Sequence, residues 1–173
     1  MTTVVGAAAE YRIAARIERL PVSSWHAKIG LVICTGFFFD AFDALTIAYV
    51  LPVLIPMWGL TPGEIGLLIA SGYAGQIIGA IFFGVLAEKI GRVPCVVLAL
   101  LIFTAMSLAC AFAWSFAAML VMRMIQGIGL GGEVPVLVTY VNEISPATRR
   151  GRFALGFQFA FSVGLPAGAL IGA

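Results

Sequence analysis

The sequence predicts an all-α membrane protein with about five transmembrane helices. Of its 173 residues, 62% are hydrophobic and 10% are charged, whereas a soluble domain carries about 25% charged residues. The apolar residues form five long segments, and a helix needs about 20 residues to cross a bilayer. Short polar connections join the segments. We therefore expect a bundle of helices that crosses the lipid bilayer.

The first 27 residues are predicted to form a cytoplasmic N-terminal segment, and residues 28–173 are predicted to form the transmembrane helices. Within the N-terminal segment, an amphipathic helix is predicted over Tyr11–Leu20. Ile13 and Ile17 share one of its faces, while the arginines lie off that face. Such a helix is typical of a surface segment that lies against lipid headgroups.

The five predicted spans follow one another along the chain. They are Lys28–Ile55, Glu64–Ala87, Val93–Ala113, Phe116–Val141 and Phe153–Ala173. The first and third connections, "PMWGLTPGE" and "AWS", contain no basic residue, whereas "EKIGR" and "NEISPATRRGR" contain two and three. Because Arg and Lys favour the cytoplasmic side of a membrane, we predict a multi-pass protein of the plasma (inner) membrane with a cytoplasmic N-terminus.

Small residues and prolines mark the interiors of the spans. Glycines recur at helical spacing in the second span, at positions 72, 75 and 79, and in the fourth span, at positions 127 and 131. Small residues let helix backbones approach closely, which favours helix association in lipid. Pro52, Pro135 and Pro166 each remove a backbone hydrogen bond inside a span and can bend the helix. These features suit a protein that rocks between states, and they also occur in static bundles.

Charged residues are predicted to lie deep in the membrane. Asp40 and Asp43 face roughly one way because they are three residues apart. Asp43 lies roughly 22 Å along its helix from Lys28, and Arg123 lies roughly 10 Å from Phe116 on a helix that enters from the opposite side. In an apolar core about 30 Å thick these depths are comparable. Intramembrane charges face a partner or a water-filled cavity, so we predict an Asp43–Arg123 pair. The alternative is a static salt bridge that only fixes helix packing.

Further polar side chains lie on the fourth and fifth spans. Glu133 lies closer to the cytoplasm, where it can line the same cavity as Asp43 or relieve the strain around Pro135. Gln126 and Gln158 are neutral hydrogen-bonding side chains. For Gln126, a bond to a neighbouring helix is the simpler interpretation.

Enzymatic and cofactor chemistry finds no support in the sequence. His26 is the only histidine, which excludes a multi-histidine metal site within this chain. Cys34, Cys95 and Cys110 have no metal or redox spacing and are interpreted as small buried hydrophobes. No nucleophile–base set is present. We therefore expect no enzyme activity, no cofactor, no metal and no nucleic-acid partner.

The second connection carries a motif of a known family. The stretch "GVLAEKIGR" resembles the loop between helices two and three of the major facilitator superfamily, whose usual form is G-x-x-x-D-R/K-x-G-R-R/K. Here Glu88 takes the place of the Asp, and Val93 stands where a final basic residue is common. The matching residues are Gly84, Glu88, Lys89, Gly91 and Arg92.

The fourth span and the connection after it are more specific. They resemble the helix-four pattern of the sugar-porter branch of the same family, including its E-x-x-P-x-x-x-R-G ending. Gln158 and Gly164 follow in the fifth span at the spacing of that branch. The matching residues before them are Arg123, Gly127, Gly131, Tyr140, Glu143, Pro146, Arg150 and Gly151.

The resemblance implies a fold of twelve helices in two halves, with the substrate held between the halves near mid-membrane. This chain supplies about five helices of an N-terminal half, so the missing C-terminal half is an expected partner, beside the lipid bilayer, a small-molecule substrate and protons. The implied function is proton-coupled symport by alternating access. A sugar, a polyol and a small organic or aromatic acid all stay open as substrates. The stretch "GGEVPV" resembles the bacterial metabolite–proton symporters, including niacin-type and aromatic-acid-type carriers, more than typical sugar carriers.

The resemblance also implies roles for individual residues. Asp43 and Arg123 match the proton-sensing pair of the symporters, and Asp40 is an extra acid beside them. Substrate contacts are expected at Gln158, Gln126 and Glu133. The implied cytoplasmic gate consists of Gly84, Glu88, Lys89, Gly91, Arg92, Glu143 and Arg150. The alternatives are an uncoupled facilitator of the same fold and a non-transporting sensor or truncated product.

Overall fold

The chain folds into five consecutive α-helices in a computed structural model that describes residues 23–172, without the side chains at positions 147, 148, 171 and 172. The helices are α1 (Ser24–Trp58), α2 (Pro62–Ile90), α3 (Arg92–Ala111), α4 (Phe116–Ile144) and α5 (Ala147–Gly172). All five are long and apolar enough to cross a membrane. The predicted all-α membrane fold is therefore confirmed, while the amphipathic helix predicted over Tyr11–Leu20 lies outside the described residues.

The helices and the predicted spans differ in length. α1 begins four residues before Lys28, and α5 begins six residues before Phe153. In contrast, α3 ends at Ala111 and not at Ala113. The predicted spans followed the apolar stretches, whereas a helix continues into polar sequence as long as its backbone hydrogen bonds are made or capped. The predicted boundary at residue 28 accordingly falls inside α1.

Local sequence determines where the helices begin and end. Gly91 alone separates α2 from α3 and has a φ of 92°, a left-handed conformation that side-chain-bearing residues rarely adopt. At the start of α2, the Thr61 hydroxyl accepts a hydrogen bond from the Glu64 amide (3.4 Å), and the Glu64 carboxylate accepts one from the Thr61 amide (2.8 Å). This capping box satisfies amides that the first helical turn leaves free.

The close approach of α2 and α4 depends on glycines. A Cβ on Gly79 would collide with the backbone of Ile128, and a Cβ on Gly131 would collide with the backbone of Gln76. Such contact between backbones requires residues without a side chain. The glycine spacing in the second and fourth spans thus reflects the packing of these two helices against each other.

Three apolar clusters connect the helices. The first joins α1, α4 and α5 and contains Ile33, Phe37, Leu137, Val141 and Phe157. The second joins α2, α3 and α4 around Phe83 and Val136, and the third joins α1, α2 and α4 near the Trp58 end of α1. Outside these clusters, large apolar side chains such as Leu31 and Phe159 are exposed. An apolar outer surface of this kind suits a hydrocarbon environment, and the helical backbone satisfies its own polar groups there.

Candidate functional site

Asp43, Arg123 and Gln126 form a closed group of three side chains between α1 and α4. Nη1 of Arg123 donates to Oδ2 of Asp43 (3.3 Å) and to Oε1 of Gln126 (3.0 Å). Nε2 of Gln126 donates to Oδ1 of Asp43 (3.0 Å). Each side chain therefore contacts the other two, and the structure brings together the two charges that the sequence placed at comparable depth. We call this group the charge triad.

The charge triad is shielded from solvent. The side chains of Arg123 and Asp43 are 13% and 14% exposed, and Gln126 is buried. The charged hydrogen bond between Arg123 and Asp43 explains how an arginine is tolerated at this depth. A buried ion pair is a weak source of net stability compared with apolar packing, which favours a role for the triad beyond holding the helices together.

Three cavities follow one another along the bundle, and the charge triad lies between the two larger ones. The largest, of about 550 Å³, is lined by α1, α2, α4 and α5. A small cavity of about 80 Å³ shares Tyr73 and Gln76 with it and also reaches the triad. A third, of about 370 Å³, reaches the triad from the Trp58 end of α1. The triad therefore forms the constriction between two cavities.

The largest cavity combines aromatic rings with a few polar groups. Its volume lies within the range of about 300–1,000 Å³ that is typical of small-molecule sites. Gln158 lines it, as the resemblance implied, and so does Asp40. Sequence reasoning missed Gln76 and Tyr73, although Gln76 was detectable as a polar residue within the glycine-rich second span. The polar and aromatic lining residues are Asp40, Gln76, Gln158, Phe37, Tyr73 and Phe161.

Glu133 lies apart from this sequence of cavities. Its side chain is buried in α4 and lines none of the three cavities. Its Oε1 lies 3.1 Å from the position that a Cβ on Gly36 of α1 would occupy. Of the three polar residues predicted as substrate contacts, the structure therefore places Gln158 at the largest cavity, Gln126 in the charge triad and Glu133 at the α1–α4 contact.

The basic residues of the described part of the chain, apart from Arg123, gather at one end of the bundle, which we call the basic end. It contains Lys28, Lys89, Arg92, Arg149, Arg150 and Arg152. Nη2 of Arg92 lies 3.0 Å from Oε1 of Glu143, and Nε of Arg92 donates to the same oxygen (3.3 Å). This ion pair links α3 to α4.

The remaining gate residues have other surroundings. Nε of Arg150 donates to the backbone carbonyl of Ser145 (3.2 Å). Glu88 and Lys89 are exposed on the last turn of α2, and a Cβ on Gly84 would meet open space. The structure thus joins Arg92 to Glu143, while Arg150 binds the connection between α4 and α5.

Comparison with known proteins decides the family. A family model described as the Major Facilitator Superfamily matches residues 33–173. The chain belongs to the major facilitator superfamily. Membership confirms the resemblance found in the second connection and the fourth span, and it agrees with the all-helical, membrane-spanning architecture.

Curated members of the superfamily resemble this chain over most of its length. The niacin transporter NiaP of Acinetobacter baylyi is 39% identical over 159 residues, which cover 92% of this chain and 36% of that protein. The gallate transporter of Pseudomonas putida is 31% identical over 158 residues, with coverages of 91% and 35%. The 4-hydroxybenzoate transporter PcaK of Pseudomonas putida is 29% identical over 157 residues, also with 91% and 35%.

The chain spans about a third of the length of the curated relatives it matches. All three relatives are named transporters, which agrees with the expectation that this major facilitator chain is not an enzyme.

Proposed function

We propose that the chain is part of a proton-coupled carrier for a small aromatic or other organic acid, which works by alternating access. The observation that carries this proposal is the position of the charge triad. A titratable carboxylate paired with a fixed cation lies at the constriction between two cavities. A group in that position can sense a proton and alter the path between the cavities at the same time.

The triad geometry supplies a physical mechanism for coupling. While Asp43 is ionised, it accepts hydrogen bonds from both Arg123 and Gln126 and holds α1 against α4. A proton on Asp43 removes the charge that attracts Arg123, since the guanidinium itself stays protonated. Arg123 then retains the neutral Oε1 of Gln126 as its partner. Proton binding would thus loosen the α1–α4 contact at the constriction, and proton release would restore it.

The substrate class is supported by the relatives and by the largest cavity. Niacin, gallate and 4-hydroxybenzoate, which appear in the relatives' names, are aromatic acids. A flat ring can pack against Phe37, Tyr73 and Phe161, while the amides of Gln76 and Gln158 offer donors and acceptors for ring substituents. We therefore propose an aromatic acid ahead of the sugars and polyols that the helix-four motif left open.

The carrier is proposed to need a second helical bundle. The largest cavity is lined by α1, α2, α4 and α5, and this chain spans about a third of the length of its relatives. A further bundle would cover the cavity and complete the substrate site. We propose that movement between the two bundles is controlled at the basic end by the Arg92–Glu143 ion pair.

The orientation in the membrane is part of the proposal. The basic end is proposed to face the cytoplasm because Arg and Lys accumulate on that side. In the full-length carrier, a cysteine introduced at Gly59 should react with an impermeant thiol reagent added outside. A cysteine at Ala147 should react only from inside, and external labelling at Ala147 would reverse the orientation.

The transport function can be tested with the full-length carrier in proteoliposomes. An inward proton gradient should drive accumulation of labelled nicotinate, and collapsing the gradient with a protonophore should release the excess. Unlabelled 4-hydroxybenzoate should compete with nicotinate, whereas glucose and a polyol should not. Equilibration without accumulation would identify a facilitator. Absence of any specific uptake of organic acids and sugars would favour a non-transporting role.

A further inference from the structure

Asp40 and Glu133 are two deeply buried carboxyl groups on facing helices. Their residues are 5% and 1% exposed. Oδ2 of Asp40 and Oε2 of Glu133 are each buried without a hydrogen-bond partner. Buried polar atoms are nearly always hydrogen-bonded in folded proteins. Two unpartnered carboxyl oxygens at one helix contact therefore require an explanation.

The two carboxyl groups occupy the same stripe of α1. Glu133 reaches across from α4 and places Oε1 against Gly36. Gly36 lies four residues before Asp40, and residues at this spacing lie one above the other on a helix face. The small residue at position 36 leaves the space that the Glu133 carboxyl group occupies. Asp43 follows Asp40 by three residues, so it is the next carboxyl group on the same side of α1.

No cation is available to neutralise the two groups within residues 23–172. Arg123 is already held by Asp43 and Gln126, and the other lysines and arginines lie at the basic end. The polar side chains that α2 and α5 contribute to the cavity beside Asp40 are the amides of Gln76 and Gln158 and the phenol of Tyr73.

The titratable groups on the remaining faces are thiols. Cys34 of α1 packs against the apolar cluster that contains Phe37 and Leu137. Cys95 of α3 donates from Sγ to the carbonyl of Phe83 (3.3 Å). A neutral thiol offers no charge to balance a carboxylate, so among the acids of residues 23–172 Asp40 and Glu133 have each other and the more distant Asp43 as neighbours at this contact.

Burial of an ionised carboxylate without a partner costs several kcal/mol, and two carboxylates that share a site resist being ionised together. A proton removes one of the charges and also supplies an O–H donor for an oxygen of the other group. We propose that Asp40 and Glu133 form a proton-holding carboxyl pair across the α1–α4 contact, separate from the Asp43–Arg123 pair.

The pair has a consequence for the proposed substrate. Asp40 lines the largest cavity, and the described residues that line that cavity include no lysine or arginine. An ionised Asp40 would repel the carboxylate of an organic acid, whereas a protonated Asp40 carries no charge and can donate a hydrogen bond to it. This consequence rests on the proposed function. The existence of the shared proton does not.

Infrared spectroscopy of the purified full-length carrier tests the shared proton directly. Protonated carboxyl groups absorb at a carbonyl stretch that ionised carboxylates lack. At neutral pH the parent should show this band, and ¹³C labelling of aspartate or glutamate should shift part of it. In either single variant the remaining carboxyl group can still hold the proton, so Glu133→Gln and Asp40→Asn should each shift the frequency of the band, and the double variant should remove the contribution of the pair. Glu64→Gln, which changes an exposed carboxylate at the start of α2, should leave the band unchanged.

A further variant separates this pair from the charge triad. In Asp43→Asn the part of the band that the double variant removes should persist, since Asp43 is not a member of the pair. If neither isotope label shifts the band, or if the double variant leaves the band unchanged, both carboxyl groups are ionised and the proposal is overturned. Because this measurement requires no substrate, a failure to transport aromatic acids would contradict the proposed function without affecting the carboxyl pair.

Discussion

Substituting Asp43 and substituting Arg123 should lower the stability of the protein by different amounts, although the two side chains form one ion pair. The perturbations are Asp43→Asn, Arg123→Gln and the two together, in the full-length carrier. Breaking a buried pair by removing one partner typically destabilises a protein by about 3–5 kcal/mol. The two side chains are 13% and 14% exposed, so this range applies to Asp43→Asn. In this variant Arg123 stays charged because the guanidinium cannot lose its proton. The loss should fall toward the lower end of the range because Arg123 keeps its 3.0 Å bond to Gln126.

The loss of stability caused by Arg123→Gln should be smaller at acidic pH than at neutral pH. Asp43 then keeps its 3.0 Å bond from Nε2 of Gln126, and the unpaired carboxylate can bind a proton, whereas the unpaired arginine of the other variant cannot release one. The penalty of Arg123→Gln should therefore fall as the pH is lowered from neutral to mildly acidic, while that of Asp43→Asn stays constant. The double variant leaves no charge unpaired and should lose only about 1–2 kcal/mol, the worth of one or two neutral hydrogen bonds.

Thermal unfolding of the four proteins in detergent, followed by tryptophan fluorescence at both pH values, measures these effects. The order of stability at neutral pH should be the parent, then the double variant, then the two single variants. Additive effects of the two substitutions at both pH values would mean that the side chains do not interact. That result would refute the electrostatic reasoning on which the charge triad rests.

Two other features of the structure give predictions with matched controls. Glu143→Gln removes the 3.0 Å ion pair to Arg92 at the basic end, so the carrier should shift toward inward-facing states, measured as increased reaction of cytoplasmic-side cysteines. Arg92→Gln should give the same shift, and unchanged reactivity in both variants would remove this pair from the gate. Gly79→Ala should destabilise the bundle by about 1–3 kcal/mol because its Cβ meets the Ile128 backbone, whereas Gly72→Ala meets open space and should be neutral or slightly stabilising. Equal melting temperatures for the two alanine variants would contradict the packing of α2 on α4.

The sequence was sufficient for features that depend on distance along a helix. The number of spans followed from the lengths of the apolar segments. The depths of Asp43 and Arg123 in the membrane followed from the helical rise per residue, which is why their contact could be predicted. Helix limits were less accurate because hydropathy reports on the environment of a segment and not on its backbone hydrogen bonds. α1 therefore begins at Ser24, inside a segment too polar to count as part of the span.

Features that depend on helix rotation could not be predicted. Glu133 lies ten residues after Arg123, which at about 100° per residue turns it roughly 80° away from the face that carries Arg123. Its position against Gly36 also depends on where α1 packs, and the sequence of α4 alone carries no information about that packing. Gln76 and Tyr73 were missed for the same reason, since only the packing of α2 on α4 directs them toward the largest cavity.

Transport by Asp43→Asn in proteoliposomes tests proton coupling through Asp43 most directly. Asparagine at position 43 imitates the protonated side chain and cannot exchange a proton. We expect Asp43→Asn to lose accumulation of an aromatic acid driven by a proton gradient, while counterflow, which needs no net proton movement, continues. Asp40→Asn is the matched control and should have the smaller effect, since Asp40 does not belong to the charge triad. If Asp43→Asn concentrates substrate as well as the parent, Asp43 is not the coupling residue and the account given for the charge triad is wrong.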